Sequence, residues 1–412
     1  MPRGGRPSTQ PPHDTTTRPA PQRIRELEIS GFRSARSVRL APGPVCALVG
    51  GPSVGKSNVL AAVWTLLQRG EPKPALADLN TTDGTAIELR ATLTGGEELA
   101  VQASPPGSAA ASGSGVPVLF FPASLRSAQL VATPIREPAA ARAAARYFAV
   151  DQRPSSATPA ATLVAGLEQL CRDGGPGLVL LIEEPELFLR PQAQRYLYRL
   201  LRTFAAGGNQ VLYSTHEPAF LNVGRLGELA LVEHSANEGT TVSQPAELTA
   251  DASFRAISEI DAERGELFLA SAVLLVEGRT EKLTLPFVAA ALGYDLDREA
   301  VTIVDCGGKP NIPLFIRVCR AVRVPCVAIH DRDAPPDRAP SRSERALNAE
   351  ILALAGGDAT FELAPDFEAV AGLRGHRHKP TRAFQHFSRI ERDAVPPLFR
   401  SAVEMAVALA RR

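Results

Sequence analysis

A glycine-rich loop near the N-terminus constrains the fold of this chain more than any other stretch. Residues 50–57 fit the phosphate-loop pattern G-x-x-x-x-G-K-S/T, with an apolar run (45–49) before them and a helical stretch (58–64) after them. The loop's backbone N–H groups would face phosphate oxygens, and the following helix adds a positive dipole. We therefore predict an ATP site, with Lys56 at the β- and γ-phosphates and Ser57 at Mg²⁺. The predicted nucleotide-binding residues are Gly50, Gly51, Pro52, Ser53, Val54, Gly55, Lys56, Ser57 and Asn58.

Length and composition set limits on the rest of the chain. With 412 residues it is long enough for two or three domains, and no apolar run approaches membrane-spanning length. The N-terminus lacks the apolar segment of a secretory signal, and the five scattered cysteines include no C-x-x-C pair. We therefore expect a cytoplasmic protein with no membrane partner. The net charge of +1 is no global signal for nucleic-acid binding, so any such signal must be local.

The first half of the chain reads as an α/β domain. Residues 1–22 are rich in Pro, Thr and Arg with few large apolar residues, which predicts a disordered tail. Residues 23–40 alternate apolar and polar on both sides of Gly31-Phe32, which predicts strand, turn and strand. Residues 86–93 and 116–122 predict further strands, whereas 105–115 predict a flexible surface loop. We assign residues 23–242 to this ATPase domain.

Two strand ends in this domain carry polar residues suited to ATP hydrolysis. The apolar run 178–182 ends in Glu183-Glu184, as a Walker B strand does, so Glu183 is predicted to hold the Mg²⁺ shell and Glu184 to polarise the attacking water. The alternative is a strand that ends in solvated acids. The strand at 210–214 delivers His216, which fits either a γ-phosphate sensor or a structural histidine. Spacing alone does not decide between these two roles.

The second half of the chain predicts another α/β domain with acids at its strand ends. Residues 243–267 are polar and predict a linker. Strands at 270–278, 301–305 and 324–329 alternate with helices, which is a βαβαβ order. Glu277 lies at the end of the first of these strands, and Asp331 and Asp333 lie at the tip of the third. Such an all-oxygen set suits Mg²⁺ or Mn²⁺, and two such ions can hydrolyse a phosphodiester. The alternative is a D-x-D that merely caps a loop.

Four motifs in the first half resemble one ATPase family. FRS…SVRL, GKSNVL, LLIEEPELFLRPQAQ and NQVLYSTHEPAFL resemble the ABC-type ATPase heads of the overcoming-lysogenization-defect (OLD) nuclease family, and more distantly DNA-repair and chromosome-maintenance ATPases. The resemblance covers residues 23–232 and implies that Glu183 is the Walker B acid, Glu184 the hydrolytic glutamate and His216 the switch histidine. One departure is the ABC signature, where residues 154–170 offer only Ser155, Ser156 and Gly166. A slow ATPase, or one that acts mainly as a clamp, would follow from that departure.

Motifs in the second half resemble the Toprim domain of the same family. The order VEGRTE, DCGGKPN and DRD carries the resemblance, which implies metal-binding roles for Glu277, Glu281, Asp331 and Asp333. It also implies that Lys379 meets the transition-state phosphate. The helix that follows resembles the family's at Glu344, Asn348 and Glu350, which implies that one of its two acids completes a second metal site. Asp366 and Glu368 are weaker metal candidates. We assign residues 268–390 to a Toprim nuclease domain.

A local basic stretch closes the chain. Residues 371–412 contain nine Lys or Arg against three Asp or Glu, and we predict a basic C-terminal helix at 391–412. Counterion release would favour a DNA backbone there. The alternative is a solvated basic helix without a nucleic-acid partner.

The leading prediction is an ATP-regulated, metal-dependent DNA endonuclease of phage defence or DNA repair. Its cofactors would be ATP and Mg²⁺ or Mn²⁺, and its partners double-stranded DNA, a second copy of the chain or a higher homo-oligomer, and a helicase-like protein. Four of the five tyrosines lie in the ATPase half, which disfavours a topoisomerase because that reaction needs a tyrosine nucleophile. The alternative is an ATP-driven DNA clamp or sensor whose Toprim domain is structural.

Overall fold

A computed structural model describes most of the chain. The described residues are 22–70, 75–80, 86–104, 108–123, 142, 159–187, 189–221, 223–252, 260, 263–334, 337–373 and 379–412. The predicted tail at 1–22 therefore lies almost entirely outside the described residues. Within them, the α/β fold class predicted from the sequence is confirmed, as two separate sheets with helices packed on them.

The larger sheet has eleven strands in the order β6-β5-β4-β1-β2-β11-β10-β3-β9-β8-β7. The strands from β6 to β10 pair antiparallel, and those from β10 to β7 pair parallel. The bounds are β1 Ile24–Phe32, β2 Ala35–Leu40, β3 Val45–Val49, β4 Ile87–Leu93, β5 Glu98–Ser104, β6 Ser108–Ser112, β7 Val118–Phe121, β8 Val179–Glu183, β9 Gln210–Ser214, β10 Leu229–Ser235 and β11 Gly239–Ser243.

Three helices pack on the parallel half of this sheet. They are α1 Lys56–Leu67, α2 Pro159–Asp173 and α3 Pro191–Ala206. Because β3, β9 and β8 are parallel neighbours, their carboxyl ends lie at one edge of the sheet. That edge carries the phosphate loop after β3, the glutamates after β8 and His216 after β9, so the fold brings three motifs distant in sequence to one place.

The antiparallel half differs from the sequence-based prediction at two points. The first turn lies after Phe32 rather than at Gly31-Phe32, because Gly31 stays inside β1 with φ of 68°. A Cβ at Gly31 would lie 2.4 Å from the Ala86 carbonyl oxygen, so β4 approaches too closely for any side chain. The predicted loop at 105–115 contains the edge strand β6, since the small side chains of that stretch complete a hairpin with β5. The prediction of a loop there was wrong for residues 108–112.

The smaller sheet is wholly parallel, with the order β13-β12-β14-β15. Its strands are β12 Ala272–Val276, β13 Val301–Asp305, β14 Cys326–Asp331 and β15 Thr360–Leu363. The helices around it are α4 Arg279–Leu292, α5 Ile312–Ala321, α6 Arg342–Ala355, α7 Phe367–Val370, α8 Lys379–Phe387 and α9 Pro397–Ala410. All five residues of β12 are buried, as expected of a strand covered on both faces.

The C-terminal helix α9 differs from the prediction of a basic helix. Arg400 and Glu404 are its only charged residues, whereas its inner face buries Phe399, Val403 and Val407 in the core of the smaller sheet. Apart from Arg400, the basic residues of the stretch lie before the helix or at Arg411 and Arg412, after it. The charge count over the whole stretch did not reveal the apolar period of α9, whose inner face is part of the core.

The two sheets meet through a pair of short 3₁₀ turns. The turn Pro218–Phe220 follows β9, and the turn Arg264–Leu269 lies at the end of the predicted linker. A Cβ at Gly265 would lie 3.1 Å from the Pro218 Cβ, so the two turns are in close contact. Leu267 and Phe220 are both buried in one hydrophobic cluster that spans the two halves. The last residues of the predicted linker are therefore packed rather than flexible.

Candidate functional site

The phosphate loop has the backbone geometry that its glycines permit. Gly55 adopts φ of 106°, and α1 begins at the next residue, Lys56. A Cβ on Gly55 would lie 2.1 Å from the Thr240 Oγ1, and a Cβ on Gly50 would lie 2.1 Å from the Val232 carbonyl oxygen. Residues of the neighbouring strands β10 and β11 thus pack closely against one side of the loop. Both glycines are required by this packing, quite apart from any contact with phosphate.

The Lys56 side chain lies across the loop. Its Nζ donates hydrogen bonds to the carbonyl oxygens of Gly50 (2.8 Å) and Gly51 (2.6 Å), and the residue is 6% exposed. Burial lowers the pKa of Lys56 to about 8, while the nearby carboxylates of Glu184 and Glu186 act in the opposite direction. A buried ammonium among neutral carbonyls is poised to be stabilised by an anion. This is the charge that a triphosphate would meet.

Glu184, which follows β8, lies beside His216. Glu184 has φ of 47°, and its backbone N–H donates to the Ser214 carbonyl oxygen at 2.9 Å. The Nε2 of His216 is 3.9 Å from the Glu184 Oε1. Burial, and then the charge on Lys56, lower the pKa of His216. A neutral imidazole beside a carboxylate can accept or donate a hydrogen bond near a γ-phosphate.

Glu183 and Glu186 complete this edge of the sheet. The Glu183 Oε2 accepts a hydrogen bond from the Ala123 backbone N–H at 2.8 Å. The Glu186 Oε1 accepts one from the His216 backbone N–H at 2.8 Å. Burial raises the pKa of Glu186. Glu186 is a residue that sequence reasoning missed as a functional candidate. Its place two residues after Glu184 in a tight turn was the available signal.

The candidate ABC signature falls only partly within the described residues. Ser155 and Ser156 lie outside them, and α2 begins at Pro159. Gly166 lies inside α2 rather than at a helix start. The described part of the stretch therefore holds no serine-glycine helix start.

The smaller sheet brings its candidate acids together at one edge. Glu277 follows β12, and Asp331 ends the neighbouring parallel strand β14. The Glu277 Oε1 accepts a hydrogen bond from the Asp331 backbone N–H at 2.7 Å, and the Asp331 Oδ1 accepts one from the Phe367 backbone N–H at 2.8 Å. Glu281, in the first turn of α4, is 8% exposed and faces the same acids. Asp333 adopts φ of 59° in the loop after β14.

Crowding of these acids shifts their protonation strongly. Burial, and then the charges on Glu277 and Glu281, raise the pKa of Asp331 to about 8. Burial, offset by a backbone hydrogen bond and reinforced by the charge on Glu277, raises the pKa of Glu281 to about 7. The donor set is all oxygen, which fits a hard divalent cation.

The acids do not yet converge on one point. Among the described residues, no group of three or more His, Cys, Asp or Glu side chains is arranged to hold a metal ion. Asp333 is paired with Lys309, whose Nζ is 2.6 Å from the Asp333 Oδ2. Glu277 and Asp331 are likewise engaged with backbone N–H groups. A cation at this edge would require small side-chain rearrangements of these acids.

Lys379 and the remaining candidate acids each form an ion pair or a hydrogen bond within the domain. The Lys379 Nζ is 2.8 Å from the Glu368 Oε1, and the pKa of Lys379 is raised first by that hydrogen bond, with smaller effects from Asp366 and Asp331. Lys379 and Glu368 therefore lie toward the acid cluster. The remaining acids are in structural pairings: Glu344 in the capping box of α6, Glu350 with Arg317, and Asp366 as the N-cap of α7. Lys309 was missed because a lysine in a glycine turn has no distinctive spacing.

The raised pKa of Glu281 leads to a testable dependence of stability on pH. A carboxyl with a folded-state pKa above its unfolded value contributes stability below the unfolded pKa, and that stability is lost as pH rises through the folded pKa. For Glu281 the loss falls between pH 4.5 and about 7. We expect Glu281→Gln to match wild type in thermal midpoint near pH 5 and to exceed it at pH 8, both in EDTA. The exposed Glu391→Gln is the control, and a pH-independent difference for Glu281→Gln would contradict the expectation.

Comparison with known proteins identifies both halves of the chain. Residues 268–333 match the family model described as the Toprim domain of overcoming-lysogenization-defect-like proteins. Residues 162–222 match an AAA-domain family whose description refers to the AbiEii toxin of type IV toxin–antitoxin systems. The resemblance predicted from the motifs is thereby confirmed over these segments: residues 162–222 match an AAA-domain family and residues 268–333 match an OLD-like Toprim domain. Among the described residues no helix has both the length and the apolar content to cross a membrane.

Two curated relatives are nucleases. The OLD nuclease of Thermus scotoductus is 34% identical over 263 residues, which is 59% of this chain and 50% of the relative. The Old nuclease of Escherichia phage P2 is 29% identical over 162 residues, 38% of this chain and 28% of the relative. The chain thus spans half or less of these relatives. Among solved structures, the C-terminal region of the Burkholderia pseudomallei OLD protein aligns with a TM-score of 0.30 at 18% identity, covering 34% of this chain and 99% of that one.

Proposed function

We propose that this protein is an ATP-regulated, metal-dependent DNA endonuclease. The observation that carries the proposal is the group of acids at the carboxyl ends of β12 and β14, in which Glu281 is buried and Glu277 and Asp331 are half-buried. Burial and mutual repulsion raise the pKa of Asp331 to about 8. Carboxyl groups with strongly raised pKa values are typical of functional sites, and a bound cation would stabilise their ionised forms. The nuclease relatives and the Toprim match support the same reading.

The acids and lysines of the smaller sheet would divide the chemistry. Divalent ions, Mg²⁺ or Mn²⁺, supply a bound water of lowered pKa and neutralise the scissile phosphate. Glu277, Glu281, Asp331 and Asp333 would hold these ions. Lys379, which is partly exposed beside the cluster, would place its ammonium against the phosphate as negative charge develops.

The ATPase edge would supply the regulation. Lys56 and Ser57 would meet the phosphates and Mg²⁺ of ATP, Glu183 would support the Mg²⁺ shell, and Glu184 would orient the attacking water beside His216. The distance of 3.9 Å between Glu184 and His216 suits a shared contact with one water or one γ-phosphate oxygen. Each of these roles follows from the position of the residue at the edge formed by β3, β9 and β8.

A short chain of contacts supports communication between the two edges. The turn Pro218–Phe220 begins two residues after His216 and packs on the turn Arg264–Leu269. The Arg264 Nε donates to the Asp305 carbonyl oxygen at 2.6 Å, at the end of β13. The Gly308 backbone N–H then donates to the Glu277 carbonyl oxygen at 2.7 Å. A movement of His216 on ATP binding could therefore reach Glu277 through only a few intervening contacts.

The biological setting is part of the proposal. We infer double-stranded DNA as substrate, a homodimer or higher homo-oligomer as the working form, since ABC-type heads pair around ATP, and a role in phage defence or DNA repair in the cytoplasm. A helicase-like partner protein would account for a purified chain that binds ATP and DNA without cutting.

The test is cleavage of supercoiled plasmid by the full-length wild type. We expect nicked or linear product in Mg²⁺ or Mn²⁺, none in EDTA, and a change in rate when ATP is added. Cleavage that persists in EDTA would overturn the two-metal mechanism. Cleavage unaffected by ATP would overturn the regulatory part alone.

A second candidate function is a DNA clamp or sensor with a structural Toprim domain. The observation that favours it is that no three acids among the described residues converge on a metal position. A clamp would bind DNA in the presence of ATP and leave the plasmid intact in every metal. Measuring how much plasmid is bound by the protein and how much is cut, in the same reactions, distinguishes the two functions.

A further inference from the structure

A nearly buried lysine, Lys309, contacts the Asp331–Asp333 segment of the acid cluster. Lys309 is 5% exposed, although it follows two glycines in a turn after β13. Burying an ammonium is costly unless it is paired and hydrogen-bonded. The Lys309 Nζ has both kinds of partner: the Asp331 backbone carbonyl oxygen, and the Asp333 carboxylate at 2.6 Å.

These contacts close a ring through three strand ends. The Gly308 backbone N–H donates to the Glu277 carbonyl oxygen, the Glu277 carboxylate accepts from the Asp331 N–H, and the Asp331 carbonyl oxygen accepts from Lys309. In the sheet order β13-β12-β14, Lys309 thus reaches from the end of β13 across β12 to the end of β14. The ring fixes Asp331 and Asp333 relative to Glu277.

The turn that presents Lys309 is built for this reach. Gly307 and Gly308 have φ of 72° and 125°, a conformation that other residues rarely adopt. Asp333 also has a positive φ, so its loop needs an anchor to stay in place. The ammonium contacts one oxygen of the Asp333 carboxylate, Oδ2.

We propose that Lys309 is a positioning residue for the cation site: it holds the Asp331–Asp333 segment in place beside Glu277 so that a divalent ion finds its ligands ordered. The inference rests on the proposed function, because it assumes that these acids bind the ion. Partners that orient metal ligands contribute about 10- to 100-fold to metal affinity or activity. The same factor is expected here. Lys309 acts through the two aspartates and does not touch the DNA.

The test compares Lys309→Met with Lys309→Arg and with the control Lys282→Met in the full-length protein. Lys282 is a suitable control because it makes an equally short ion pair, 2.6 Å to Glu263, in the same domain. Binding of Mn²⁺ without nucleotide is measured by electron paramagnetic resonance, and plasmid cleavage is measured against Mn²⁺ concentration. The two readouts separate binding of the ion from cleavage.

We expect Lys309→Met to weaken Mn²⁺ binding about 10- to 100-fold and to move half-maximal cleavage to higher Mn²⁺ by the same factor, with saturating Mn²⁺ restoring part of the rate. Lys309→Arg should retain more Mn²⁺ binding than Lys309→Met. Should Lys309→Met fail to fold, the Arg variant decides alone, with a several-fold weaker Mn²⁺ affinity expected.

Three results would overturn the proposal. They are Mn²⁺ binding equal to that of Lys282→Met, tighter binding than wild type, and a lower rate of cleavage with an unchanged Mn²⁺ dependence. The wild type separates this failure from that of the proposed function. A wild type that neither binds Mn²⁺ nor cuts DNA overturns both, whereas a wild type that does both isolates the role of Lys309.

Discussion

Replacing Asp331 by asparagine is expected to lower metal-dependent DNA cleavage at least about 100-fold, since even outer partners of metal ligands contribute 10- to 100-fold. The substitution removes a negative charge and leaves a side-chain oxygen for the Phe367 N–H, which donates to the Asp331 Oδ1 at 2.8 Å. The hydrogen-bonding frame of the segment therefore survives while the charge needed by a cation is lost. Plasmid cleavage in Mg²⁺ and in Mn²⁺ is the measurement.

The same variant should keep or gain stability without metal. Because the pKa of Asp331 is raised to about 8, its ionised form is disfavoured in the folded protein, and asparagine mimics the neutral form. We expect the thermal midpoint of Asp331→Asn in EDTA at pH 8 to be no lower than that of wild type. The control is Asp358→Asn, which changes an exposed acid in a turn of the same domain.

Two outcomes would contradict this prediction in different ways. Undiminished cleavage by Asp331→Asn would remove Asp331 from the cation site. Lost cleavage together with a lower thermal midpoint in EDTA would show that Asp331 serves the fold, and cleavage could no longer be attributed to its charge. Only lost cleavage with retained stability supports the proposed role.

The predictions that needed only local sequence were the more successful ones. The strand before the phosphate loop, the helix after it and the parallel strands bearing acids were predicted because period and turn residues determine them locally. His216 could be located at a strand end, but its partner could not, because the pairing of β9 beside β8 is a long-range choice. The 3.9 Å distance to Glu184 emerges only from that strand order.

Residues whose role depends on tertiary reach were missed or misread. Lys309 gains its role by crossing β12 to reach β14, and nothing in its local spacing signals that distance. The helix α9 was misread because charge was counted over 371–412, whereas burial follows the 3.6-residue period of Phe399, Val403 and Val407. The acid cluster was anticipated as a set, but the engagement of Asp333 with Lys309 was not.

The largest effect on the ATPase half is expected from Lys56→Ala. Removing a charge aimed at a transferring phosphoryl group costs about 100- to 1000-fold, by analogy with other preorganised donors, so ATP hydrolysis should fall by at least that range. The fold should be spared, because Lys56 bonds only to loop carbonyls, and alanine suits the first turn of a helix. Steady-state phosphate release is the measurement, with Glu184→Gln as a variant that should bind ATP and not hydrolyse it.

The lowered pKa of Lys56 predicts proton uptake on ATP binding, which is a more specific test of its role than a loss of ATP hydrolysis. Burial lowers the pKa of Lys56 to about 8, so near pH 8 a large fraction of the molecules carry a neutral amine. A triphosphate would raise that pKa, and binding must then take up a proton. Calorimetry of ATP binding at pH 8 in buffers of different ionisation enthalpy should therefore detect proton uptake in wild type and in Glu184→Gln, and much less in Lys56→Ala.

ATP should also alter the rate of plasmid cleavage by wild type and leave that of Lys56→Ala unchanged. Equal proton uptake in Lys56→Ala would mean that a group other than Lys56 is protonated when the triphosphate binds. An unchanged response of cleavage to ATP in that variant would mean that regulation does not pass through the phosphate loop.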